Sequence, residues 1–299
     1  MAVKTIKKHG GFPLYKILFF TLLAVYTAFF CVLLVWMIFS TFKTKTEFDF
    51  YPMRFPEKLK FSNYPEVFAN LFIDVPVTGL GVVRYNFVQM FANSLLYSVG
   101  CMLVSVGTKA ICGYVFAKYD FIGRNFLFNV AMVVMVIPTV GTLASELDIM
   151  KAINFYDNIW ALMIMKGGFG GMTFLIFYTV FRGVPWEYAE AAQLDGAGHL
   201  RIMITIMFPM IKATLGFYLL TGFIEFWNDW NVSVVYLPSM PVAAYAIYFF
   251  QNTANNFIKL GGVPYVLTAS VIFCIPVFVM FMIFRKQLFT NLNFGGIKG

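Results

Sequence analysis

The stretch YVLTASVIFCIPVFVMFMIF, Tyr265–Phe284, runs for 20 residues without a single charge. At a rise of 1.5 Å per residue such a helix spans about 30 Å, the thickness of a bilayer's hydrocarbon core. The stretch is not alone. Tyr15–Thr41, Asn86–Phe116, Asn125–Ser145, Ile159–Phe181 and Met210–Tyr236 are similarly long and apolar. A helix satisfies its own backbone hydrogen bonds, so it is the spanning form these runs can take. A membrane barrel would need short strands alternating apolar and polar residues, and the runs show no such alternation. The expected fold is therefore an all-α integral membrane bundle of six transmembrane helices. Charged residues make up 12% of the chain, about half the share of a soluble domain.

An even number of spans puts both ends on one side. If that side is the cytoplasm, it holds Lys4, Lys7, Lys8, Lys16, Lys118, Arg124, Arg182, Arg201, Lys212, Arg285, Lys286 and Lys298 against Asp120, Glu187, Glu190 and Asp195. The opposite face balances its acids and bases, so the formal net charge of +8 sits on the cytoplasmic side, as the positive-inside rule expects. The high pI thus records topology and contact with anionic lipid head groups. It does not indicate a nucleic-acid partner, because no basic segment interleaved with aromatics accompanies it. The basic N-terminus precedes an apolar run too long for a signal peptide, with no small-x-small cleavage site, so the first helix is expected to stay uncleaved. Cys31, Cys101, Cys112 and Cys274 all fall within spans and are read as free thiols behaving as small apolar residues.

The cytoplasmic segment VPWEYAEAAQLDGAGHLRIMITIMFPMIKA has its own local logic. Pro185 suits a first helical turn, and Glu187 and Glu190 sit at that helix's positive end. Asp195-Gly196 reads as a stop, since Gly tolerates the left-handed conformation of a C-cap. A second helix is expected over 198–208, with Pro209 opening the next span. Ala189, Ala191 and Ala192 would give the first helix a smooth face able to enter a partner's groove; an ordinary amphipathic surface loop is the alternative.

Glu190-Ala191-Ala192, Gly196 six residues after the Glu, and Ile206-x-Phe208-Pro209 together resemble the EAA loop of ABC importer permeases, with Phe208 replacing the usual Leu. The run Leu194–Ala197 (LDGA) resembles that of sugar permeases. FIEFWNDWNVSVVYL, Phe223–Leu237, and the ending Gly295–Gly299 (GGIKG) resemble the smaller permease subunit of maltose-type importers. The similarity covers about residues 15–299. It implies the type I ABC importer permease fold, with a cytoplasmic segment 1–14, a six-helix domain 15–285 carrying the coupling loop 182–209, and a cytoplasmic tail 286–299. It further implies that Glu187, Glu190, Ala191, Ala192, Asp195 and Gly196 meet the ATP-hydrolysing subunit. The implied partners are a second homologous permease, a dimer of ATPase subunits, an extracytoplasmic solute-binding protein, and a carbohydrate, with an oligosaccharide favoured. The setting would be the bacterial inner membrane.

Within the spans, Glu225 and Asp229 are four apart and expected on one helix face beside Trp227 and Asn228. They form either a polar wall of a translocation path or carboxylates paired with Lys109 or Lys166. Lys109 stands about 13 Å from Lys118 along its helix and could snorkel inward. The glycines of GGFGG, Gly167–Gly171, are read first as sites of close helix packing. In the external loop, Tyr245, Gln251, Asn252, Asn255 and Asn256 have a chemistry suited to sugars, and by resemblance they face the binding protein; an ordinary packed loop would use the same residues. No phosphate loop G-x-x-x-x-G-K-[ST] occurs, so ATP and Mg are expected on partner subunits and no cofactor on this chain. His9 and His199 form no metal spacing, and no nucleophile–His–acid constellation marks a catalytic residue. An ion-coupled secondary transporter using Glu225 and Asp229 is the alternative to the importer.

Overall fold

The computed structural model describes residues 14–77, 81–137, 141–252 and 261–290. Helix α1 (Leu14–Ser40) is followed by an ordered cap. The cap comprises α2 (Lys45–Phe50), α3 (Asn63–Asn70) and an antiparallel hairpin of β1 (Phe72–Val77) and β2 (Gly81–Asn86). The hairpin is a small β element in a chain whose described residues are otherwise helical or loop. Its register runs from Phe72 opposite Asn86 to Val77 opposite Gly81, and its β-branched residues suit a pleated, half-buried surface. Across it Arg84 Nε donates to Asp74 Oδ1 at 2.8 Å, with the guanidinium 4.0 Å above the Phe72 ring. That hydrogen bond holds the Asp74 carboxyl below its ordinary pKa.

Helix α4 (Phe87–Lys118) is the hub of the bundle. It opens with a capping box in which Asn86 and Gln89 satisfy each other's backbone N–H. Around it lie α5 (Arg124–Val136), α6 (Leu143–Ala152), α7 (Ile159–Lys166), α8 (Gly171–Arg182), α12 (Lys212–Trp227), α13 (Asn231–Val235), α14 (Ala243–Asn252) and α15 (Val263–Thr290). Between α8 and α12 come α9 (Glu187–Leu194), α10 (His199–Ile202), a π-helical turn at Met203–Met207 and α11 (Phe208–Met210).

Three of the six expected spans are unbroken apolar helices: Leu14–Ser40, Phe87–Lys118 and Val263–Gln287. The other three are interrupted. The expected Asn125–Ser145 helix stops at Val136, and α6 restarts beyond Gly141, whose φ is +85°. The expected Ile159–Phe181 helix is bent by 54° between α7 and α8. Here Gly170 and Gly171 take φ of +101° and +77°, a region that glycine enters at little cost. In GGFGG, then, close packing holds for Gly167, where an added Cβ would come within 2.8 Å of Val104 Cγ1, while Gly170 and Gly171 break the helix. The fifth span begins at Lys212 rather than Met210, because the chain turns by 84° between the His199–Met210 arm and α12. So sharp a bend sets that arm across the bundle's end instead of continuing the span.

The core has three main centres. Tyr97, Cys101, Leu162, Phe223, Phe226 and Trp227 pack between α4, α7 and α12. Val67, Ile73, Phe87, Ala243 and Tyr265 tie the cap to the bundle. Tyr114, Phe177, Phe181, Ala189, Ile202 and Met207 close the opposite end. Gly113 lets α4 and α8 touch: a Cβ there would lie 2.7 Å from Phe177 Cβ and 2.9 Å from the Tyr178 backbone nitrogen.

Candidate coupling surface and solute path

Helix α9 seats on the end of the bundle through its own apolar side. Ala189 is fully buried among Tyr114, Phe177, Phe181 and Ile202, and Ala192 is half-buried in the same cluster. The expectation that three alanines enter a partner's groove therefore changes. Ala189 and Ala192, three apart and so on one helix face, hold the helix to its own chain, and Ala191 faces out. Nearby, Lys118 Nζ donates to the Val184 carbonyl at 2.5 Å. Tyr119 packs edge-on to Trp186, and its hydroxyl stands 3.1 Å from His199 Nδ1. These contacts fix both ends of the loop against the end of α4.

The outward side carries Glu187, Tyr188, Glu190, Ala191, Leu194, Asp195 and Gly196, all exposed. Leu194 is 90% exposed and Leu200 67%. Leu194, Tyr188 and Leu200 were not anticipated as part of this surface. For Tyr188 and Leu194 the signal was the phase of α9, one and five positions from the inward Ala189; Leu200 lies on α10, outside that phase. Glu187 and Glu190 lie in the first turn, where the helix dipole favours anions. Gly196 has φ +80° and ends the helix as its sequence implied. The π-helical turn follows, a deformation frequent at functional sites.

The second group of expected residues separates. Helix α12 ends at Trp227, so Asp229 lies past it and does not share a helical face with Glu225. Asp229 accepts a 2.9 Å hydrogen bond from the Tyr97 hydroxyl, and its other oxygen caps α13 by accepting from the Val232 N–H. A short carboxylate after a helix prefers such local backbone bonding to a further helical turn. Trp227 is 1% exposed. Its ring stacks on Phe223 and Phe273, and Nε1 donates to the Phe273 carbonyl at 3.0 Å. Assembly can only bury it further, so Trp227 is a packing residue and not a wall facing solute. Asn228 is exposed and lines a cavity of about 450 Å³ with Ile224, Phe273 and Val277.

Among the described residues no ion pair joins Glu225 or Asp229 to a lysine. Glu225 is exposed and within electrostatic reach of Lys109. Lys109 donates to Ser105 Oγ at 2.9 Å, one turn further from Lys118 than Lys109 itself, so it does not snorkel toward the Lys118 end. Lys166 sits 5.5 Å over the Tyr236 ring. On the cap side, Tyr245 is half-buried between two core clusters. Gln251 and Asn252 close α14, and Asn255 and Asn256 lie outside the described residues.

A bundle of membrane-length helices with polar residues at a helix break, and a short acidic helix presented from one end, marks an integral membrane protein with an exposed helix at one end. The chain belongs to the family of binding-protein-dependent transport system inner membrane components, whose pattern matches residues 109–289. It is similar to the maltodextrin transport system permease protein MdxG of Bacillus subtilis strain 168, 28% identical over 217 residues covering 71% of this chain and 76% of that one. The diacetylchitobiose uptake system permease protein NgcG of Streptomyces coelicolor is 23% identical over 285 residues, 93% of this chain and 87% of that one. Among solved structures, a chain of a bacterial ABC transporter involved in import of the acidic polysaccharide alginate aligns with TM-score 0.70 at 18% identity, over 92% of this chain and 98% of that one. The fold is thus that of ABC importer permeases. The ion-coupled alternative built on Glu225 and Asp229 finds no support in this family membership.

Proposed function

We propose that this chain is one of two permease subunits of an ATP-driven, binding-protein-dependent importer of oligosaccharides. The observation that carries the reading is the geometry of α9: an alanine-seated helix whose acidic and apolar outer side projects from one end of the bundle. That surface suits the cleft of an ATPase subunit, with Glu187, Glu190, Ala191, Leu194 and Asp195 as the contact. ATP and Mg are bound by that partner, in a dimer. A second permease with a comparable loop supplies the other half of the path, and a solute-binding protein delivers the sugar on the opposite face. Both termini of this chain are cytoplasmic, with residues 15–285 forming the membrane domain. Glu225, Asn228 and Asp229 mark this subunit's contribution to the path. Tyr245, Gln251, Asn252, Asn255 and Asn256 belong to the loop that meets the binding protein. The maltodextrin and chitobiose relatives favour a saccharide of two or more units.

The test is purification of the chain from gently solubilised membranes, wild type beside Glu190→Arg, followed by ATPase assay of the eluate. Wild type should bring down an ATPase and a second permease, and the charge reversal should lose the ATPase or its stimulation. A wild-type chain that purifies alone overturns the proposal.

A further inference from the structure

We propose that Asp157, in the turn between α6 and α7, is a positioning residue for the solute path: it fixes the far end of α13 and so sets where Asn228, Asp229 and Trp230 stand at the polar break. The inference rests on the reading of that break as this subunit's share of the path. Asn154 and Asp157 have φ of +58° and +57°, and among the described residues they are the non-glycine positions with positive φ. That conformation is costly for an L-residue, least so for Asn and Asp, and it persists where the surroundings impose it. On the near side α6 secures the turn: the N–H groups of Phe155 and Tyr156 donate to the Met150 carbonyl at 2.7 and 3.2 Å. On the far side the turn grips another part of the chain. The Asp157 N–H donates to the Tyr236 carbonyl at 3.0 Å. Asp157 Oδ1 accepts from both the N–H and the hydroxyl of Ser239, at 3.0 and 2.8 Å.

What is gripped is the exit of α13. That helix has five residues, too few to persist without outside contacts. At its entry Asp229 accepts from the Val232 N–H at 3.2 Å, while the other Asp229 oxygen accepts from Tyr97 of α4 at 2.9 Å. Tyr236 is the cap residue at its exit, and Asp157 holds the Tyr236 carbonyl. Helix α13 therefore stands between two aspartates, one at each end, and only Asp229 belongs to the break. Past Ser239 the chain is tied to β2 and α4, where Tyr85 donates to the Ser239 carbonyl at 2.7 Å and Asn93 to the Pro241 carbonyl at 2.9 Å. Asp157 links that anchored stretch to α13. Trp230 reports on the opposite end. It stacks on Tyr248 of α14 with 3.8 Å between ring centroids and 10° between planes. About 9 Å of helix axis separates it from Tyr236.

Three variants separate the side-chain bond from the backbone. Asp157→Asn keeps an acceptor for Ser239 and tolerates positive φ; Asp157→Gly takes that φ freely but has no acceptor; Asp157→Ala has neither advantage. The Tm of the full chain in detergent should rank wild type and Asn above Gly, and Gly above Ala. The near-ultraviolet circular dichroism of the Trp230–Tyr248 stack, isolated by subtracting the same chain with Trp230→Phe, should follow the acceptor instead. It should be intact with Asn and lost with both Gly and Ala. A wild-type signal in the Gly variant, or a lost signal in the Asn variant, would overturn the proposal. Uptake of maltotriose by vesicles carrying the assembled importer gives the functional reading. The binding protein sets half-saturation, so a displaced break lowers the maximal rate. Asp157→Gly should lower it about fivefold, the scale of one hydrogen bond, at unchanged half-saturation, and Asp157→Asn should match wild type. Equal maximal rates for wild type and Gly would also overturn the proposal. A wild-type chain that takes up no maltotriose counts against the maltodextrin-like solute, and one that brings down no ATPase against the importer itself; in both cases the Trp230 signal still decides the role of Asp157.

Discussion

Two glycines on α4, six residues apart, should respond oppositely to the same substitution. At Gly113 an added Cβ would lie 2.7 Å from Phe177 Cβ and 2.9 Å from the Tyr178 nitrogen. The second atom is backbone, so no rotamer change relieves the clash and α8 must move away. Overpacking of this kind costs about 1–3 kcal/mol. Replacing a mid-helix glycine by alanine returns about 0.5–1 kcal/mol, which leaves Gly113→Ala destabilised by up to about 2.5 kcal/mol. At Gly107 a Cβ meets nothing within 4 Å, so the gain stands alone and Gly107→Ala is stabilised by about 0.5–1 kcal/mol. Thermal unfolding of the detergent-solubilised chain reads both. At about 2–4 °C per kcal/mol for a chain approaching this size, Gly113→Ala should melt up to about 10 °C lower and Gly107→Ala about 1–4 °C higher. The functional readout follows the same geometry. Phe177 and Phe181 help bury Ala189, so pushing α8 aside unseats α9, and Gly113→Ala should also lower solute-stimulated ATPase activity in the assembled importer. Two variants that shift Tm in the same direction would refute the view that α4 and α8 are in backbone contact at Gly113.

Gly196 has φ +80° with open space around it, so its substitution cost is backbone alone, about 1–2 kcal/mol for most residues and less for asparagine. Coupled ATPase activity should rank Gly above Asn above Ala, and an unchanged Ala variant would show that the turn relaxes freely. Tyr97→Phe removes the 2.9 Å hydrogen bond to Asp229 and should cost about 1.5 kcal/mol, visible as a lowered Tm, while Asp229 keeps its cap on α13. Trp227→Phe keeps an aromatic ring in the stack but leaves the Phe273 carbonyl without its indole donor, at about 1 kcal/mol; no loss of Tm would mean the carbonyl finds another donor.

Much of this was legible in the chain, and the rest was not for definable reasons. The long helices follow from hydropathy, because the bilayer imposes one length and one backbone solution on every crossing. Gly196 could be placed as a stop because its left-handed conformation is a local property. What the sequence concealed depends on tertiary contact. GGFGG could serve packing or breakage, and the choice fell residue by residue: Gly167 against Val104, Gly170 and Gly171 at positive φ. Ala189 and Ala191 are chemically identical, and only the position of the Phe177–Phe181 floor decides which is inward. Asp229 suited helical spacing from Glu225 as well as it suited a cap, and Tyr97, 132 residues away, is what fixes its place. The β-hairpin was not legible because FIDVPV and GVVRYN are short runs between longer apolar stretches, and their pairing is a contact that neither run dictates alone.

The two candidate regions are linked by the same pair of helices. Helix α4 carries Tyr97, which holds Asp229, and also Tyr114, which packs over Ala189. Helix α12 begins at the 84° bend beyond the π-helical turn and ends two residues before Asp229. Its 16 residues span about 24 Å as a rigid rod. Gly222 keeps it against α4, where a Cβ would come 3.3 Å from Val106. A push on α9 therefore has two routes. It can rotate α4 and α12 together, which moves the Tyr97–Asp229 contact as a unit. Or it can be absorbed at the bend between α11 and α12, where the backbone ladder is already interrupted. The proline at 209 removes one N–H from that ladder, so the bend is the softer element, and the Tyr97–Asp229 bond resists sliding of α12 past α4. Motion at the coupling surface should then reach the polar break chiefly as a tilt of α12 about its Ile211 end, with Glu225, Asn228 and Asp229 at the far end making the largest excursion.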